Sequence, residues 1–414
     1  MRVGAGSLSP LLCLALCLAA CDAGPEQAGD ASHARASAAR AQFSADELER
    51  LQRASPLPAL PADPTNAVAD DPRAAALGER LFFDARLSSN GEVSCATCHD
   101  PAYGWADGRA TAVGIAALDV HTPSVLDSAR DRWFFWDGRA DSLWAQALQP
   151  LEHPDEQGAT REQVAELMRT DAEYRAGYAL LFGASVPSET GDDSVDVDRV
   201  FANVGKLLAA FERTLLSGET PFDRFVRGLE TGDPEELAAL GADEIAGARL
   251  FFGEARCHMC HHGPTLSDLE FHDVRLPSDV PAAERSPGRF EGLRAVVTDP
   301  FNGLGEYSDD RGEHARNKLA YLVRNPHTLG EFKTPGLRDV AATAPYMHTG
   351  QFNTLEEVVA HYATLEGAPP KRHVDADDVL VATHLDAAQQ RALVAFLESL
   401  TPLAATLDSR IQAN

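Results

Sequence analysis

Cysteine and methionine are scarce in this chain of 414 residues, which contains seven of the first and four of the second. Cys13, Cys17 and Cys21 lie within or beside an apolar N-terminal run, so only four cysteines remain for the rest of the chain. All four belong to two Cys-x-x-Cys-His units, which leaves no thiol for a disulfide framework. The scarcity therefore indicates that these thiols are reserved for a bound group.

Positive charge is scarce as well. Lysine and arginine number 36 against 63 aspartates and glutamates, which gives a formal net charge of -27. A strongly acidic protein repels the phosphate backbone, so nucleic acid is excluded as a partner. The charge favours a cationic partner protein, or it serves only to keep the chain soluble.

The apolar run at the N-terminus is too short to cross a bilayer but has the length of a signal peptide. It ends in Leu18-Ala19-Ala20-Cys21, which resembles a bacterial lipobox; an ordinary signal peptide cut at a small residue is the alternative. Residues 1–20 are thus predicted to direct export to the periplasm. Lipid on Cys21 would be the one membrane contact, with residues 21–60 as a flexible linker.

The two Cys-x-x-Cys-His units occur in "SCATCHDP" and "RCHMCHHGP". This motif is typical of c-type haem attachment, because two thiols add to the haem vinyl groups and the next imidazole ligates the iron. Zinc fits less well, since zinc modules pair such units over much shorter spacings. We therefore predict two covalently bound haem c groups. The attachment residues are Cys95, Cys98 and His99 for the first and Cys257, Cys260 and His261 for the second.

A short repeat precedes both units. "GERLFF" begins at Gly78 and "GARLFF" begins at Gly247, which indicates two related domains. Apolar residues recur at helical spacing through most of the chain, whereas strand-like alternation is rare. The sequence predicts a mostly α protein with two cytochrome c-like domains, each carrying one haem and joined by long loops. Their expected bounds are 61–230 and 231–414.

Several longer stretches carry a resemblance to a known family. "RLSSNGEVSCATCHDP", "FFWDGRADSLWAQALQP" and "FKTPGLRDVAATAPYMHTGQFNTLEEVVAHY" are similar to motifs of bacterial di-haem cytochrome c peroxidases and the MauG-like enzymes of methylamine utilisation. The resemblance covers residues 77–400. It implies an enzyme in which hydrogen peroxide reacts at the N-terminal haem and electrons pass through the C-terminal haem.

The resemblance also implies catalytic residues. Glu156 and Gln146 match the carboxylate and amide of the distal pocket, and Trp136 matches a tryptophan between the haems. Classical peroxidases close this pocket with a histidine, but "AYGWADGRATAVGIAALDV" contains none. The similarity is therefore closer to the MauG-like pattern, with a first haem that is open to peroxide in the oxidised protein.

A calcium ion between the domains is a further expectation. The carbonyls of Thr343 and Pro345 match two of its ligands in the family, but His121 stands where an asparagine is usual. His121 weakens the calcium prediction and is also a candidate for an unexpected sixth ligand of the first haem.

The distal ligand of the second haem is Met in the peroxidases and Tyr in the MauG-like enzymes. Tyr362 stands at this position, and Met347 of "PYMHTG" is the competing candidate.

Partners follow from the same resemblance. A peroxidase would accept electrons from a small cytochrome c or cupredoxin, whereas a MauG-like enzyme would oxidise a protein substrate. Members of the family often form homodimers, and the sequence leaves the oligomeric state open between monomer and homodimer. The rival interpretation is a membrane-tethered electron carrier without catalysis, which would have two six-coordinate haems.

Overall fold

The structure is a computed structural model, and it describes residues 25–183, 196–281, 284–310, 312, 314–372 and 379–402. The expected signal peptide and the expected lipid site at Cys21 lie outside these ranges. The helices are α1 Pro25–Arg40, α2 Ala45–Arg53, α3 Pro72–Phe82, α4 Cys95–Cys98, α5 Leu143–Glu152, α6 Arg161–Thr170, α7 Ala172–Phe182, α8 Val197–Glu212, α9 Pro221–Thr231, α10 Pro234–Leu237, α11 Ala242–Phe252, α12 Arg289–Thr298, α13 His314–Leu319, α14 Leu355–Thr364 and α15 Ala387–Glu398. Two short strands, β1 Phe271–His272 and β2 Phe332–Lys333, pair in antiparallel fashion. The predicted mostly α class is confirmed.

The first hydrophobic core is built by α3, α5, α6, α7 and α8. Helix α8 is buried over most of its length because it packs between α3 and α5. Trp144 of α5 is fully buried, and its indole N–H donates to the Thr65 hydroxyl at 2.9 Å. This core supports the first Cys-x-x-Cys-His unit.

The second hydrophobic core joins α2, α9, α11, α14 and α15. A buried ion pair crosses it, since the Arg338 guanidinium donates to both Asp223 carboxylate oxygens at 2.8 and 2.9 Å. Arg338 also donates to the Ala54 carbonyl at 3.1 Å. The bidentate contact holds the Asp223 pKa down to about 2 against the opposing effect of burial. The pair fixes the loop after β2 to the start of α9.

The sequence repeat has a structural counterpart in two equivalent helix crossings. Gly78 of α3 lies against α8, where an added Cβ would come within 1.9 Å of the Leu207 carbonyl oxygen. Gly247 of α11 lies against α15, where a Cβ would come equally close to the Ala392 carbonyl oxygen. The two glycines therefore allow each pair of helices to approach closely in front of its Cys-x-x-Cys-His unit.

Gly247→Ala is expected to lower the free energy of unfolding by about 1–3 kcal/mol, because the helices must separate to admit a methyl group. The intrinsic helix propensity of alanine would act in the opposite direction by about 1 kcal/mol. Chemical denaturation of the haem-loaded protein measures the sum. Arg249→Ala, at an exposed position of the same helix, is the control. A Gly247→Ala protein at least as stable as the wild type would contradict the close crossing.

Residues 21–60 were expected to form a flexible linker, but their described part contains two helices that pack against the second core. Helix α1 is alanine-rich and packs on α9, and Arg40 donates to the Leu229 carbonyl at 2.6 Å. Helix α2 begins with a capping box at Ser44 and buries Leu51 in the second core. Alanine favours the helix and the apolar side chains give it a surface to pack on. Helix α9 likewise packs in the second core, although the domain boundary was expected after residue 230.

The two halves meet over the segment around Trp133 and over β1 and β2. Trp133 packs with Phe271 and Val296, and the Arg289 guanidinium lies 4.5 Å from its ring centroid. Among the described helices, none is both long enough and apolar enough to cross a membrane.

Candidate functional site: two haem attachment sites

The first attachment site is the short helix α4 and the residue that follows it. The Ser94 N–H donates to the Thr97 hydroxyl at 3.0 Å, and the His99 N–H donates to the Cys95 carbonyl at 2.9 Å. The His99 Nδ1 atom lies 3.1 Å from the Trp105 carbonyl oxygen. A proton on Nδ1 leaves the Nε2 lone pair for a metal. Burial lowers the His99 pKa, which favours this neutral form.

The second attachment site repeats this geometry with a different loop. The His261 N–H donates to the Cys257 carbonyl at 2.9 Å, and its Nδ1 atom lies 2.9 Å from the Leu266 carbonyl oxygen. Burial lowers the His261 pKa as well. In both sites a backbone carbonyl thus selects the tautomer that a proximal haem ligand needs.

A cavity of about 330 Å³ opens beside the second site. Cys257, Cys260 and His261 all line it, so two thiols and an imidazole face one largely apolar space. These donors and this lining fit a covalently bound haem. Tyr362 and Met347 line the same cavity, which keeps both candidate distal ligands within the site. Burial raises the Tyr362 pKa, and the nearby Cys260 and Cys257 thiols act in the same direction.

The segment 155–158 lies against the first site. The Glu156 carbonyl accepts from the Ile115 N–H and the Asp155 carbonyl from the Ala116 N–H, both at 2.9 Å. Burial raises the Glu156 pKa, with Arg139 and His153 opposing, and the Glu156 carboxyl interacts electrostatically with Cys98. The structure thus brings Glu156 to the first attachment site. Gln146 is half-buried on α5, the helix that leads into this segment.

Trp136 is fixed at the boundary between the halves. Its indole N–H donates to the His121 carbonyl at 2.8 Å, and its own carbonyl accepts from the Lys333 N–H at 2.7 Å. The His348 ring lies 6.4 Å from the Trp136 ring and stacks on Phe332 at 3.5 Å. Burial lowers the His348 pKa to about 4, so this stacked imidazole is neutral.

The His121 imidazole lines the cavity of the second attachment site. Its Nδ1 atom lies 2.9 Å from the Arg109 carbonyl oxygen, so a proton on Nδ1 leaves the Nε2 lone pair available, as in His99 and His261. Burial lowers the His121 pKa, while the Arg109 and Thr343 backbone and Asp107 oppose the shift. A role for His121 as sixth ligand of the first haem stays a prediction.

Three residues of these sites were missed by sequence reasoning. Gln149, which had no evident role, accepts from the Arg139 guanidinium at 3.0 Å and donates to Asp299 at 3.1 Å. Gln157 donates to the Cys95 sulfur at 3.6 Å. Glu212 is buried near the same sulfur, and one of its carboxylate oxygens has no partner among the described residues. Only Glu212 had a detectable signal, since it follows Leu208 and Phe211 at helical spacing on the apolar stripe of α8.

Glu212→Gln is expected to change how stability depends on pH. Burial raises the folded-state pKa of Glu212 from about 4.5 to about 8, so the folded protein keeps a proton that the unfolded chain has lost. The wild type therefore loses up to about 1.4 kcal/mol per pH unit between these two values, and the amide variant lacks this loss. Chemical denaturation across this range measures it, with the exposed Glu230→Gln as the control. Parallel curves for Glu212→Gln and the wild type would contradict the burial argument.

Comparisons with known proteins agree with this geometry. The family model described as di-haem cytochrome c peroxidase matches residues 72–231. The methylamine utilization protein MauG of Methylorubrum extorquens is 36% identical over 94% of this chain and 92% of its own length. Cytochrome-c peroxidase IdrP1 of Denitromonas iodatirespirans is 34% identical over 84% of this chain and 85% of its own length.

Two crystal structures share the fold. A MauG-like protein associated with microbial copper homeostasis has a TM-score of 0.62 at 29% identity, with 84% of this chain and 95% of that chain covered. The diheme peroxidase BthA of Burkholderia thailandensis has a TM-score of 0.61 at 25% identity, with 82% and 89% covered.

Proposed function

Because this chain belongs to the family of di-haem cytochrome c peroxidases and MauG proteins, we propose that it reacts with hydrogen peroxide at the site of Cys95, Cys98 and His99. The observation that carries the proposal is the position of Glu156. The half-buried Glu156 carboxyl group has a raised pKa and interacts electrostatically with the Cys98 thiol. The facing loop of residues 101–120 contains no histidine that could close the site.

The bound haem supplies the redox centre and the place where peroxide binds. Glu156 takes the proton from one peroxide oxygen and returns it to the other, which makes the second oxygen a better leaving group. The Glu156 carbonyl contact with Ile115 holds the loop that carries the carboxyl group. Gln146 offers an amide that orients the bound oxygen. His99 keeps its Nδ1 proton on the Trp105 carbonyl, which fixes the proximal ring.

The second site, with Cys257, Cys260 and His261, is proposed to exchange electrons between the first site and a partner. Trp136 supports this step, because its ring lies at the boundary of the halves and lines the cavity of the second site. Its indole N–H and its carbonyl are both hydrogen-bonded, so the ring keeps one orientation. Trp136 is therefore the proposed relay between the two haems.

The partner determines which of two reactions follows. As a peroxidase, the protein reduces peroxide to two waters with two protons and two electrons from a small cytochrome c or cupredoxin. As a MauG-like enzyme, it removes the two electrons from residues of a substrate protein. The net charge of -27 favours a partner with a cationic docking face. The loop without histidine and the presence of Tyr362 support the MauG-like reaction.

Low-temperature EPR of the oxidised di-haem protein tests this proposal. One high-spin and one low-spin ferric signal are expected, because the first site is open and the second has a distal ligand. Two low-spin signals would mean that a sixth ligand, with His121 as the first candidate, closes the first site, and would favour a reductively activated peroxidase or the non-catalytic electron carrier. Rapid turnover of peroxide with reduced cytochrome c as donor would then select the peroxidase reaction over protein oxidation.

We also propose a periplasmic location with lipid on Cys21. Radiolabelled palmitate should appear in the wild-type protein expressed in a bacterial host and should be absent from Cys21→Ala. Equal labelling of both would show that Cys21 is not the lipid site.

A further inference from the structure

Three positively charged side chains surround Trp133, and we call them the cationic cluster. The Arg289 and Arg132 guanidinium groups lie 4.5 and 5.7 Å from the centroid of the indole ring. The Lys318 ammonium group lies 4.8 Å from it. Arg132 is half-exposed and paired with Glu270 at 2.9 Å, so it contributes least. Trp133 itself is only 2% exposed, which leaves little water to screen the two nearer charges.

The two nearer cations are held in place by backbone carbonyls. The Arg289 guanidinium donates to the Gly138 carbonyl at 2.7 Å, and the Lys318 ammonium donates to the Asp141 carbonyl. A carbonyl oxygen accepts such a bond without bringing a full negative charge. The Asp141 carboxyl group acts on Lys318 through its charge. Burial lowers the Lys318 pKa to about 8, so this side chain still carries its proton at neutral pH.

Trp136 lies three residues further along the same segment and has a different electrostatic environment. The two tryptophans are within about 11 Å of each other along the backbone, because one residue spans at most about 3.6 Å. The ring next to Trp136 is that of His348, whose pKa of about 4 leaves it neutral. The Lys333 ammonium, on a neighbouring strand, is paired with Asp131. The Trp136 indole N–H donates to a backbone carbonyl, which favours positive charge on the ring.

Trp133 lies between this boundary and the protein surface. It packs with Phe271 and Leu322. Tyr321, the residue before Leu322, is 81% exposed. Phe271, Arg289 and Tyr321 line one surface cavity of about 260 Å³. An oxidised Trp133 would thus have an exposed phenol nearby from which to take an electron.

We propose that the cationic cluster makes Trp133 resistant to one-electron oxidation and so keeps electron transfer between the halves on Trp136. Loss of one electron turns an indole into a radical cation, and nearby positive charges destabilise that product. The same charges attract the electron-rich face of the neutral ring. The cluster therefore prevents oxidising equivalents from passing through Trp133 to Tyr321.

This inference rests on the proposed peroxide reaction, because hydrogen peroxide is the oxidant. Each peroxide takes up two electrons and two protons and becomes two waters. When no donor supplies the electrons, they come from side chains of the protein. An indole that gives up two electrons, takes up one water and releases two protons becomes hydroxytryptophan, which peptide mass spectrometry locates.

The first measurement treats the oxidised di-haem protein with hydrogen peroxide in the absence of a donor. The wild type is expected to form hydroxytryptophan at Trp136 and to leave Trp133 and Tyr321 unmodified. Lys318→Met keeps a side chain of similar length and removes one of the two nearer charges. It should increase hydroxylation of Trp133 at least about tenfold, since the lost charge is close to the ring and poorly screened.

Two further variants separate this effect from a loss of charge or of folding. Arg316→Met removes a positive charge at an exposed position of the same helix, α13, and should leave Trp133 unmodified. Arg132→Met removes the outermost cation at a half-exposed position, where the fold tolerates the change. It should increase hydroxylation of Trp133 by a smaller factor, about twofold. The absorption spectrum of the bound haems reports folding in each variant.

The second measurement does not use the haems. Illumination of the same proteins with a ruthenium tris-bipyridine complex and persulfate withdraws single electrons from side chains, and Lys318→Met should again raise hydroxylation of Trp133 at least about tenfold. A lack of any change in the haem bands with peroxide would refute the proposed reaction, and this second measurement would still test the cluster. Equal hydroxylation of Trp133 in Lys318→Met and the wild type with both oxidants, at any level, would overturn the inference. A wild type in which peroxide modifies Trp133 as readily as Trp136 would overturn it too.

Discussion

Glu156→Gln is expected to slow the reaction of the oxidised protein with hydrogen peroxide by about two to four orders of magnitude, the range that a positioned general acid–base group supplies. The amide keeps the size and hydrogen-bonding shape of the carboxyl group but cannot accept the peroxide proton. The Ile115 contact is made by the Glu156 backbone carbonyl, so the loop should keep its place. Stopped-flow absorbance of the haem bands gives the second-order rate.

The dependence of this rate on pH is a second, independent test of Glu156 as the proton acceptor. Burial raises the Glu156 pKa above its ordinary value, and the group acts as a base only when it is deprotonated. The wild-type rate should therefore increase with pH through a limb that lies above the ordinary range for a glutamate. Glu156→Gln should lack this limb, because the amide does not titrate.

Asp155→Asn is the matched control for this prediction. Asp155 is exposed, it precedes Glu156, and its carbonyl accepts from the Ala116 N–H in the same loop. The Asp155→Asn substitution removes one negative charge and leaves the proposed base, Glu156, unchanged. Equal slowing in Asp155→Asn and Glu156→Gln would assign the effect to net charge. A Glu156→Gln protein that reacts at the wild-type rate would favour an electron carrier without catalysis.

The parts of the fold that the sequence predicts are those encoded locally. The two Cys-x-x-Cys-His units place thiols and imidazole in one short turn, so the attachment residues follow from spacing alone. The repeated glycines at 78 and 247 indicate two related helix crossings, and these form in two separate cores. The resemblance to di-haem cytochrome c peroxidases and MauG-like proteins is confirmed by relatives that cover most of the chain.

The parts that the sequence does not predict depend on contacts between distant segments. The Trp105 and Leu266 carbonyls that orient the proximal imidazoles come from loops whose shape no motif specifies. The hydrogen bond from the His121 N–H to the His348 carbonyl joins two segments that lie far apart in the chain. The composition of residues 21–60 predicts a linker, yet α1 and α2 find a surface on the second core. Tertiary packing outweighs composition there.

The distal ligand of the second haem can be decided by a reciprocal pair of variants, since Tyr362 and Met347 both line the cavity. Tyr362→Phe is expected to raise the midpoint potential of this haem by roughly 0.1 V or more, because an anionic oxygen ligand stabilises the oxidised iron. Burial raises the Tyr362 pKa, so the phenol would be deprotonated only if the positive charge of a bound iron stabilised the phenolate. A spectroelectrochemical titration that resolves the two haems measures the shift.

Met347→Leu is the matched partner, because it removes the thioether and leaves an apolar side chain of similar size. If Tyr362 is the ligand, Met347→Leu should leave the potential close to that of the wild type. If Met347 is the ligand, the same variant should lower the potential, since a thioether raises it, and Tyr362→Phe should have little effect. A low potential set by Tyr362 would disfavour reduction of the second haem by a cytochrome donor and would stabilise higher oxidation states of its iron, as protein oxidation with peroxide as the oxidant requires. A high potential set by Met347 would instead favour electron entry from a cytochrome donor and the reduction of peroxide to water.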